Sequence, residues 1–128
     1  MARKVERFED LLAWQKGLDL TEIAYQLADR ERLRRDFALR DQIHGSVISI
    51  PANIAEGFER GTRGEFHHFL SIAKASCAEL RSHAYVAQRV GYIDASTLRH
   101  FLDEAEAVGR IIGKLRSTVA IQRRTPRT

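Results

Sequence analysis

The chain has 128 residues, a length that suits one folded domain with its own hydrophobic core, so residues 1–128 are expected to form a single domain. A composition of 44% hydrophobic and 30% charged residues excludes an intrinsically disordered protein. The formal net charge of +4 is compatible with phosphate binding, but such a mild excess is also common on solvated protein surfaces.

Several sequence features favour a cytoplasmic location. No stretch approaches the roughly 18 to 20 apolar residues that a membrane-spanning helix needs. The first ten residues, MARKVERFED, are charged and lack the apolar segment of a signal peptide. Cys77 is the single cysteine, so no disulfide can form within the chain. We therefore expect a cytoplasmic protein that makes no membrane contact.

The first predicted helix covers about residues 8–29. Glu9 and Asp10 would lie in its first turn, where carboxylates interact favourably with the positive end of the helix dipole. Two neighbouring sets of apolar residues follow the helical repeat. The first set is Leu11, Trp14, Leu18, Tyr25 and Ala28, and the second is Ala13, Leu20, Ala24 and Leu27.

The second predicted helix covers about residues 36–60 and contains Pro51. A proline inside a helix costs about 3 kcal/mol or more, because it has no amide proton and its ring crowds the carbonyl four residues earlier. The apolar spacing nevertheless continues without a shift on both sides of Pro51, through Ile43, Val47, Ile50, Ile54 and then Gly57 or Phe58. We therefore predict one continuous helix with a kink at Pro51.

The third predicted helix covers about residues 63–90. Gly61 should end the second helix, and Thr62 and Glu65 have the spacing of a capping box that starts the third. So short a connection makes the two helices antiparallel neighbours. The apolar positions repeat every three or four residues and are Phe66, Leu70, Ala73, Cys77, Leu80, Ala84 and Ala87.

A fourth helix is predicted over about residues 94–119. Gly91 should end the third helix, and Asp94 has the residue type and position of an N-cap. The apolar positions of the fourth helix are Leu98, Leu102, Ala105, Ile112, Leu115 and Val119. Flexible tails are expected at about 1–6 and 121–128. The sequence thus predicts an all-α fold, an up-and-down antiparallel four-helix bundle.

The residues that commonly carry enzyme chemistry do not form a recognisable site. Cys77 lies among core positions, and neither a Gly-x-Ser-x-Gly elbow nor a glycine-rich phosphate loop occurs. A di-iron bundle needs two Glu-x-x-His pairs, and only Glu65 and His68 have that spacing. We therefore expect no enzyme, no cofactor and no metal. A metal-dependent bundle that uses Glu65, His68, Glu79 and His83 is kept as an alternative.

A row of polar residues runs beside the predicted core on the second and third helices. Phe69, Ile72, Val86 and Val90 flank this row and would leave large apolar groups in water if the protein were a monomer. We therefore interpret the row as a packing seam that also supports contact between subunits. The residues assigned to it are Ser49, Asn53, Glu56, Ser76, Glu79 and His83.

Two clusters of arginine are candidate sites for phosphate contacts with RNA or DNA. Such binding would be independent of base sequence and would weaken steeply as salt rises. The sequence places no aromatic platform for single-stranded bases near either cluster. The candidate residues are Arg30, Arg32, Arg34, Arg35, Arg123, Arg124 and Arg127, with Arg3 and Lys4 as additions.

The sequence SIPANIAEG at 49–57 resembles the helix-two signature of a family of four-helix-bundle proteins encoded in intervening sequences of bacterial large-subunit ribosomal RNA genes. Further blocks match in order: FEDLLAWQKG at 8–17, FALRDQI at 37–43, FLSIAKASCAEL at 69–80 and GYI at 91–93. The resemblance implies a four-helix bundle that assembles as a ring-like homopentamer.

This family includes the accessory variability determinant of diversity-generating retroelements, in which a basic surface engages nucleic acid and the reverse transcriptase. That role is not transferred to this chain, because its basic residues concentrate in one loop and one tail. Our expectation is a non-enzymatic homo-oligomeric scaffold, pentameric if it follows the family, with weak sequence-independent RNA or DNA binding. The alternative is a protein-interaction adaptor that binds no nucleic acid.

Overall fold

A computed structural model describes residues 4–124 of the chain, with side chains up to residue 121. Four helices form the fold: α1 (Leu12–Ala28), α2 (Phe37–Glu59), α3 (Arg63–Arg89) and α4 (Ala95–Arg124). Each helix packs against the next one along the chain, and α4 closes the bundle against α1. The described part of the chain contains no strand. The predicted all-α, up-and-down antiparallel four-helix bundle is confirmed.

The hydrophobic core follows the apolar spacing predicted for α2 and α3. Every predicted core position of α2 from Ile43 to Gly57 is buried, and so is every one of α3 from Leu70 to Ala87. On α4 the predicted positions Leu102, Ala105, Ile112 and Val119 are buried together with Phe101 and Val108, whereas Leu98 and Leu115 are half-buried. Each fully buried leucine or isoleucine contributes about 1.5–3 kcal/mol to folding, so these side chains hold the bundle together.

The first helix begins later than predicted. Phe8–Asp10 form a separate short 3-10 helix, Leu11 has an extended backbone, and α1 starts at Leu12. The carboxylate of Asp10 accepts hydrogen bonds from the backbone N–H groups of Glu6 (3.1 Å) and Arg7 (3.2 Å). Glu9 and Asp10 do lie in the first turn of a helical segment that starts at Phe8, but this segment is a separate 3-10 turn, which Asp10 caps, and α1 begins after it.

The face of α1 that enters the core is lined by small residues. Leu18 is 44% exposed and Tyr25 is 39% exposed, although both belong to the first predicted apolar set. Gly17 is buried instead, and a Cβ atom placed on it would lie 3.5 Å from the Cβ and Cδ atoms of Pro51. The proline ring of α2 therefore packs in van der Waals contact with α1 at this position. The remaining buried residues of α1 are Ala13, Leu20, Ala24, Leu27 and Ala28.

Pro51 lies inside α2 without ending it. The helix is continuous from Phe37 to Glu59, and Pro51 is buried. The predicted continuity is thus confirmed, while the kink at Pro51 stays a prediction.

Thr62 and Asp94 cap the starts of α3 and α4, as predicted. The hydroxyl of Thr62 accepts a hydrogen bond from the backbone N–H of Glu65 (3.2 Å), and Asp94 accepts one from the N–H of Thr97 (2.7 Å). Gly61 and Gly91 have φ angles of 86° and 87°. Because this left-handed conformation is costly for other residues, glycine is the residue that can end α2 and α3 there.

The fourth helix continues beyond the predicted end at residue 119, as far as Arg124. Its apolar repeat ends at Val119, which is buried. However, no proline or glycine occurs between Gly113 and Pro126, so nothing in the sequence interrupts the helical backbone once the core contacts stop. None of the four helices in the described range combines the length and the apolar character that crossing a bilayer requires.

Asp36 connects the start of α2 to the loop between α3 and α4. One oxygen of its carboxylate accepts a hydrogen bond from the N–H of Leu39 (3.1 Å), and the other accepts one from the Tyr92 hydroxyl (2.9 Å). Both hydrogen bonds hold the pKa of Asp36 below its usual value, and the bond from Leu39 has the larger effect.

We predict that Tyr92→Phe destabilises the protein more at pH 7 than in acid. Because the folded-state pKa of Asp36 is lowered, its stabilisation is complete above the unfolded pKa of about 3.9 and is lost as the pH falls through the folded value. The difference in unfolding free energy between Y92F and the wild type should therefore narrow below about pH 4. Urea unfolding at several pH values measures it. Tyr85→Phe, at an exposed tyrosine, is the control, and a pH-independent loss in Y92F would contradict this account.

We predict opposite effects for two glycine-to-alanine changes within α2. At Gly57 the new Cβ would lie 2.5 Å from the Cβ of Phe69 on α3, and overpacking of this kind costs about 1–3 kcal/mol. At Gly45 no atom lies within 4 Å, so Gly45→Ala should gain the helix propensity of alanine, up to about 1 kcal/mol. Urea unfolding should show G57A less stable and G45A more stable than the wild type. Equal stabilisation by both would disprove the close approach of α2 and α3.

Candidate functional site

The predicted polar seam lies between α2 and α3, and three of its members form one hydrogen-bonded group. The hydroxyls of Ser49 and Ser76 lie 2.9 Å apart across the two helices. The side-chain amide of Asn53 donates to both the carbonyl and the hydroxyl of Ser49, each at 2.8 Å. Ser76 is buried, and Ser49 and Asn53 are half-buried, so these bonds satisfy polar groups that the helix contact removes from water.

Glu56 lies on the same face of α2 but pairs with Arg60 rather than with the serines. The Arg60 guanidinium lies 2.9 Å from Glu56 and 3.7 Å from Glu65, and it sits 5.1 Å from the centre of the Phe69 ring. The hydrogen bond to Glu56 raises the pKa of Arg60. Arg60 thereby links α2 to the start of α3. Because these side chains are about half exposed, the ion pairs contribute little stability.

Among the seam residues, only His83 has a buried side-chain nitrogen without a hydrogen-bond partner in the described part of the chain. Its side chain is only 18% exposed, and its Nε2 atom is buried without a hydrogen-bond partner. The nearest carboxylate oxygen belongs to Glu79 at 3.7 Å, which is beyond hydrogen-bond distance. A buried polar atom without a partner is uncommon in folded proteins, so its surroundings require an explanation.

Together with apolar residues, Ser76, Glu79 and His83 form one row along α3. The spacing alternates between three and four residues, so these side chains share one face of the helix. Ile72 is 36%, Val86 44% and Val90 49% exposed. We call this row the outer α3 stripe, and it consists of Phe69, Ile72, Ser76, Glu79, His83, Val86 and Val90.

The first predicted arginine cluster lies in the connection between α1 and α2, which the buried Leu33 anchors to the core. Arg32 donates a hydrogen bond to the carbonyl of Gly91 (3.2 Å) and lies 5.3 Å from the centre of the Tyr92 ring. Arg35 lies 3.7 Å from Glu31, and both side chains are exposed. These contacts engage Arg32 in holding two loops together, so it is the least available of the cluster for a ligand.

Arg30 and Arg34 are the members of the cluster that remain available. Neither forms an ion pair within 4 Å among the described residues. Arg30 lines a cavity of about 460 Å³ between α1 and α4, and Arg34 lines one of about 430 Å³ between α1 and α2. Arg3 and Arg127 lie outside the residues that the structure describes, and so do the side chains of Arg123 and Arg124. Lys4 is exposed.

Two aromatic rings line the same cavity as Arg34, which the sequence analysis did not predict. The rings of Tyr25 and His44 stack 4.0 Å apart and nearly parallel, and both line the same cavity as Arg34. Arg40 also lines it, donates to the carbonyl of Arg34 (3.2 Å) and lies over the Phe37 ring. The sequence did not reveal this group because its members come from two helices and a loop that only the fold brings together.

The residues considered for metal binding do not converge. Glu65 is engaged at the start of α3, and His68 is exposed. Among the residues that the structure describes, no three histidine, cysteine or acidic side chains lie close enough to hold a metal ion. Cys77 is buried and donates to the carbonyl of Ala105 (3.3 Å), and burial raises the pKa of its thiol, so it behaves as part of the core.

Comparison with known proteins identifies relatives of this bundle. A family model described as 23S rRNA-intervening sequence protein matches residues 9–114. A solved structure from Bacteroides thetaiotaomicron, described as a protein of unknown function from the S23 ribosomal protein family, superposes with a TM-score of 0.74. It is 21% identical, and the match covers 82% of this chain and 98% of that one. At this identity the likeness shows the fold alone. No curated protein matches the sequence.

Proposed function

The chain belongs to the 23S rRNA-intervening sequence protein family, and we propose that it acts as a homo-oligomeric scaffold rather than as an enzyme. The observation that carries this proposal is the outer α3 stripe. It places exposed isoleucine and valine side chains at both ends of a polar centre that is already partly desolvated. Large apolar side chains exposed together on one face of a helix mark an interaction surface more often than scattered ones do.

Two features of the stripe favour a packed partner over solvent. Ile72, Val86 and Val90 expose between 36% and 49% of their surface along one side of a single helix, whereas scattered exposed apolar residues would need no explanation. The Nε2 atom of His83 has no hydrogen-bond partner among residues 4–121. A second copy of the chain on this face would cover the apolar groups and offer His83 a hydrogen bond. The resemblance to the family implies that five copies close into a ring.

The basic end of the bundle supports a second element of the proposal, weak binding of RNA or DNA through phosphate groups. Arg30 and Arg34 have no ion pair within the described chain, and the Tyr25–His44 ring pair lies beside Arg34. Four arginines account for the whole formal excess of positive charge, so residues 4–121 carry equal numbers of basic and acidic side chains. These four are Arg3, Arg123, Arg124 and Arg127. Binding by the bundle itself is therefore expected to be weak.

The same charge balance favours the alternative, a protein adaptor without nucleic-acid binding. Arg32 and Arg35 already have partners within the chain, which leaves two of the four clustered arginines for phosphate contacts. In this alternative the oligomer still forms through the outer α3 stripe, and the basic end contacts an acidic protein surface instead. Measurements of mass and of salt-dependent RNA binding therefore test separate parts of the proposal.

We predict that Val86→Glu weakens self-association. An unpaired carboxylate buried in an apolar interface costs several kcal/mol, so the oligomer should dissociate at micromolar concentration, as light scattering would show by a lower particle mass. Leu18→Glu is the matched control, since Leu18 on α1 is exposed to the same extent, 44%, and lies away from the stripe. A monomeric wild type at micromolar concentration, or equal effects of the two changes, would refute the interface.

We predict that RNA binding falls with salt and depends on Arg34. For two or three phosphate contacts on a single strand, the logarithm of the affinity should fall against the logarithm of the salt concentration with a slope of about −1.4 to −2.1. Arg34→Gln should make this slope shallower by about 0.7. Fluorescence anisotropy with a labelled mixed-sequence RNA measures both.

Lys16→Gln is the control for this prediction, because Lys16 is a surface cation near the other end of α1. It should leave the slope unchanged. If the protein binds no RNA at low salt, or if its affinity does not depend on salt, the nucleic-acid element is wrong and the adaptor alternative remains.

A further inference from the structure

A small groove between α3 and α4 collects three cationic side chains that the sequence analysis did not single out. Lys74 and Arg81 come from α3, and Arg110 comes from α4. The groove encloses about 200 Å³ and is lined by Lys74, Cys77, Arg81, Glu106, Gly109 and Arg110. It lies along the middle of the two helices, away from the arginines at the end of the bundle.

Gly109 of α4 lines this groove, and a second glycine of α4, Gly113, packs against Lys74. A Cβ atom on Gly109 would lie 3.7 Å from the sulfur of Cys77, and one on Gly113 would lie 3.6 Å from the Cε atom of Lys74. Side chains of α3 therefore rest directly against the backbone of α4 at both positions. The floor is closed by Cys77, whose thiol donates to the carbonyl of Ala105. The glycines thus serve a contact within the chain and leave a shallow space beside it.

The three cations have no counter-charge within ion-pair distance. Lys74, Arg81 and Arg110 form no ion pair within 4 Å among residues 4–121. By contrast, Arg7, Arg35, Arg40, Arg60 and Arg99 each lie within 4 Å of a carboxylate oxygen. The charges of Arg81 and Lys74 reach the Cys77 thiol, whose pKa they lower against the larger raising effect of burial.

The net positive charge and the small volume of the groove favour a small anionic ligand. Glu106 offsets one of the three positive charges and leaves two uncompensated, at positions where Lys74 and Arg81 are half-buried and therefore less screened by solvent. A volume of 200 Å³ is below the ~300 Å³ at which pockets for ordinary small molecules begin, so the ligand is small. Arginine and lysine together are the side chains that proteins use for phosphate oxygens.

We propose that this groove binds a phosphate dianion, held by Lys74, Arg81 and Arg110. The ligand is either a free phosphate ion or the terminal phosphomonoester of a larger molecule, since both present the same doubly charged group. The site is independent of the proposed RNA contacts at Arg34, because it shares no residue with them and lies between a different pair of helices.

Isothermal titration calorimetry of the full chain with inorganic phosphate, in chloride buffer of constant ionic strength, tests this site. We expect saturable binding of one phosphate per chain. Arg110→Gln and Arg81→Gln should each weaken the affinity about tenfold, as expected for the loss of one charged hydrogen-bond donor. Because Arg110 is exposed, R110Q leaves the core packing unchanged and guards against a loss caused by misfolding.

Arg34→Gln is the matched control, since it removes an arginine from the other basic surface. It should leave phosphate affinity unchanged even though it reduces RNA binding, which separates a failure of this site from a failure of the proposed function. An absence of saturable binding would overturn the site. So would equal phosphate affinities in the wild type, R81Q and R110Q.

A second arm identifies the source of the phosphate group. A short oligonucleotide with a 5′-phosphate is compared with the same oligonucleotide carrying a 5′-hydroxyl, both against the R34Q protein. A tenfold preference for the phosphorylated form, lost in an R34Q/R110Q double variant, assigns the groove to a terminal phosphomonoester. Equal binding of the two oligonucleotides, with phosphate binding intact, assigns it to the free ion. A preference that persists in the double variant would place the recognition elsewhere and refute the proposal for phosphomonoesters.

Discussion

Helices α2 and α3 lie so close together at Gly57 that a methyl group there would meet the Cβ of Phe69 at 2.5 Å. This approach determines what surrounds it. It brings Ser49 within hydrogen-bond distance of Ser76, and it leaves one side of α3 directed away from the core. Gly57 on α2 therefore favours the short helix separation that the polar seam needs. A wider separation of the two helices would break the serine pair.

The fold could be predicted from the sequence where spacing alone determines burial. The repeat from Ile43 to Ile54 and the one from Leu70 to Ala87 correspond to the buried faces of α2 and α3, because long helices in a bundle must bury one continuous face. On α1 the spacing predicted two neighbouring apolar sets and did not decide between them. The structure buries mainly the set of smaller residues, where Gly17 packs against the ring of Pro51, and it leaves Leu18 and Tyr25 exposed. Which face is buried depends on the neighbouring helix, and the apolar spacing within one helix carries no information about that neighbour.

The candidate sites were predictable only in outline for a related reason. The composition of residues 30–35 indicated a basic cluster, but which arginines are available depends on Gly91, Tyr92 and Glu31, and the first two of these lie about sixty residues away. Cations of the groove between α3 and α4 are spread over Lys74, Arg81 and Arg110 and form no cluster in the sequence. A charge pattern along the chain shows local density, whereas a binding site depends on convergence and on the absence of internal partners.

The proposed oligomer and the weak phosphate contacts reinforce each other. A subunit whose residues 4–121 carry equal numbers of basic and acidic side chains attracts nucleic acid weakly through this part of the chain, by way of Arg30 and Arg34. Repeating the same contacts on several subunits of one assembly converts later contacts into intramolecular ones, and linked sites of this kind gain about 10²–10⁴ in overall affinity without any new contact. The outer α3 stripe would then control nucleic-acid affinity although it touches no phosphate. Loss of the oligomer should consequently weaken RNA binding in a chain whose Arg30 and Arg34 are intact, which is a coupling that an adaptor without nucleic-acid binding would lack.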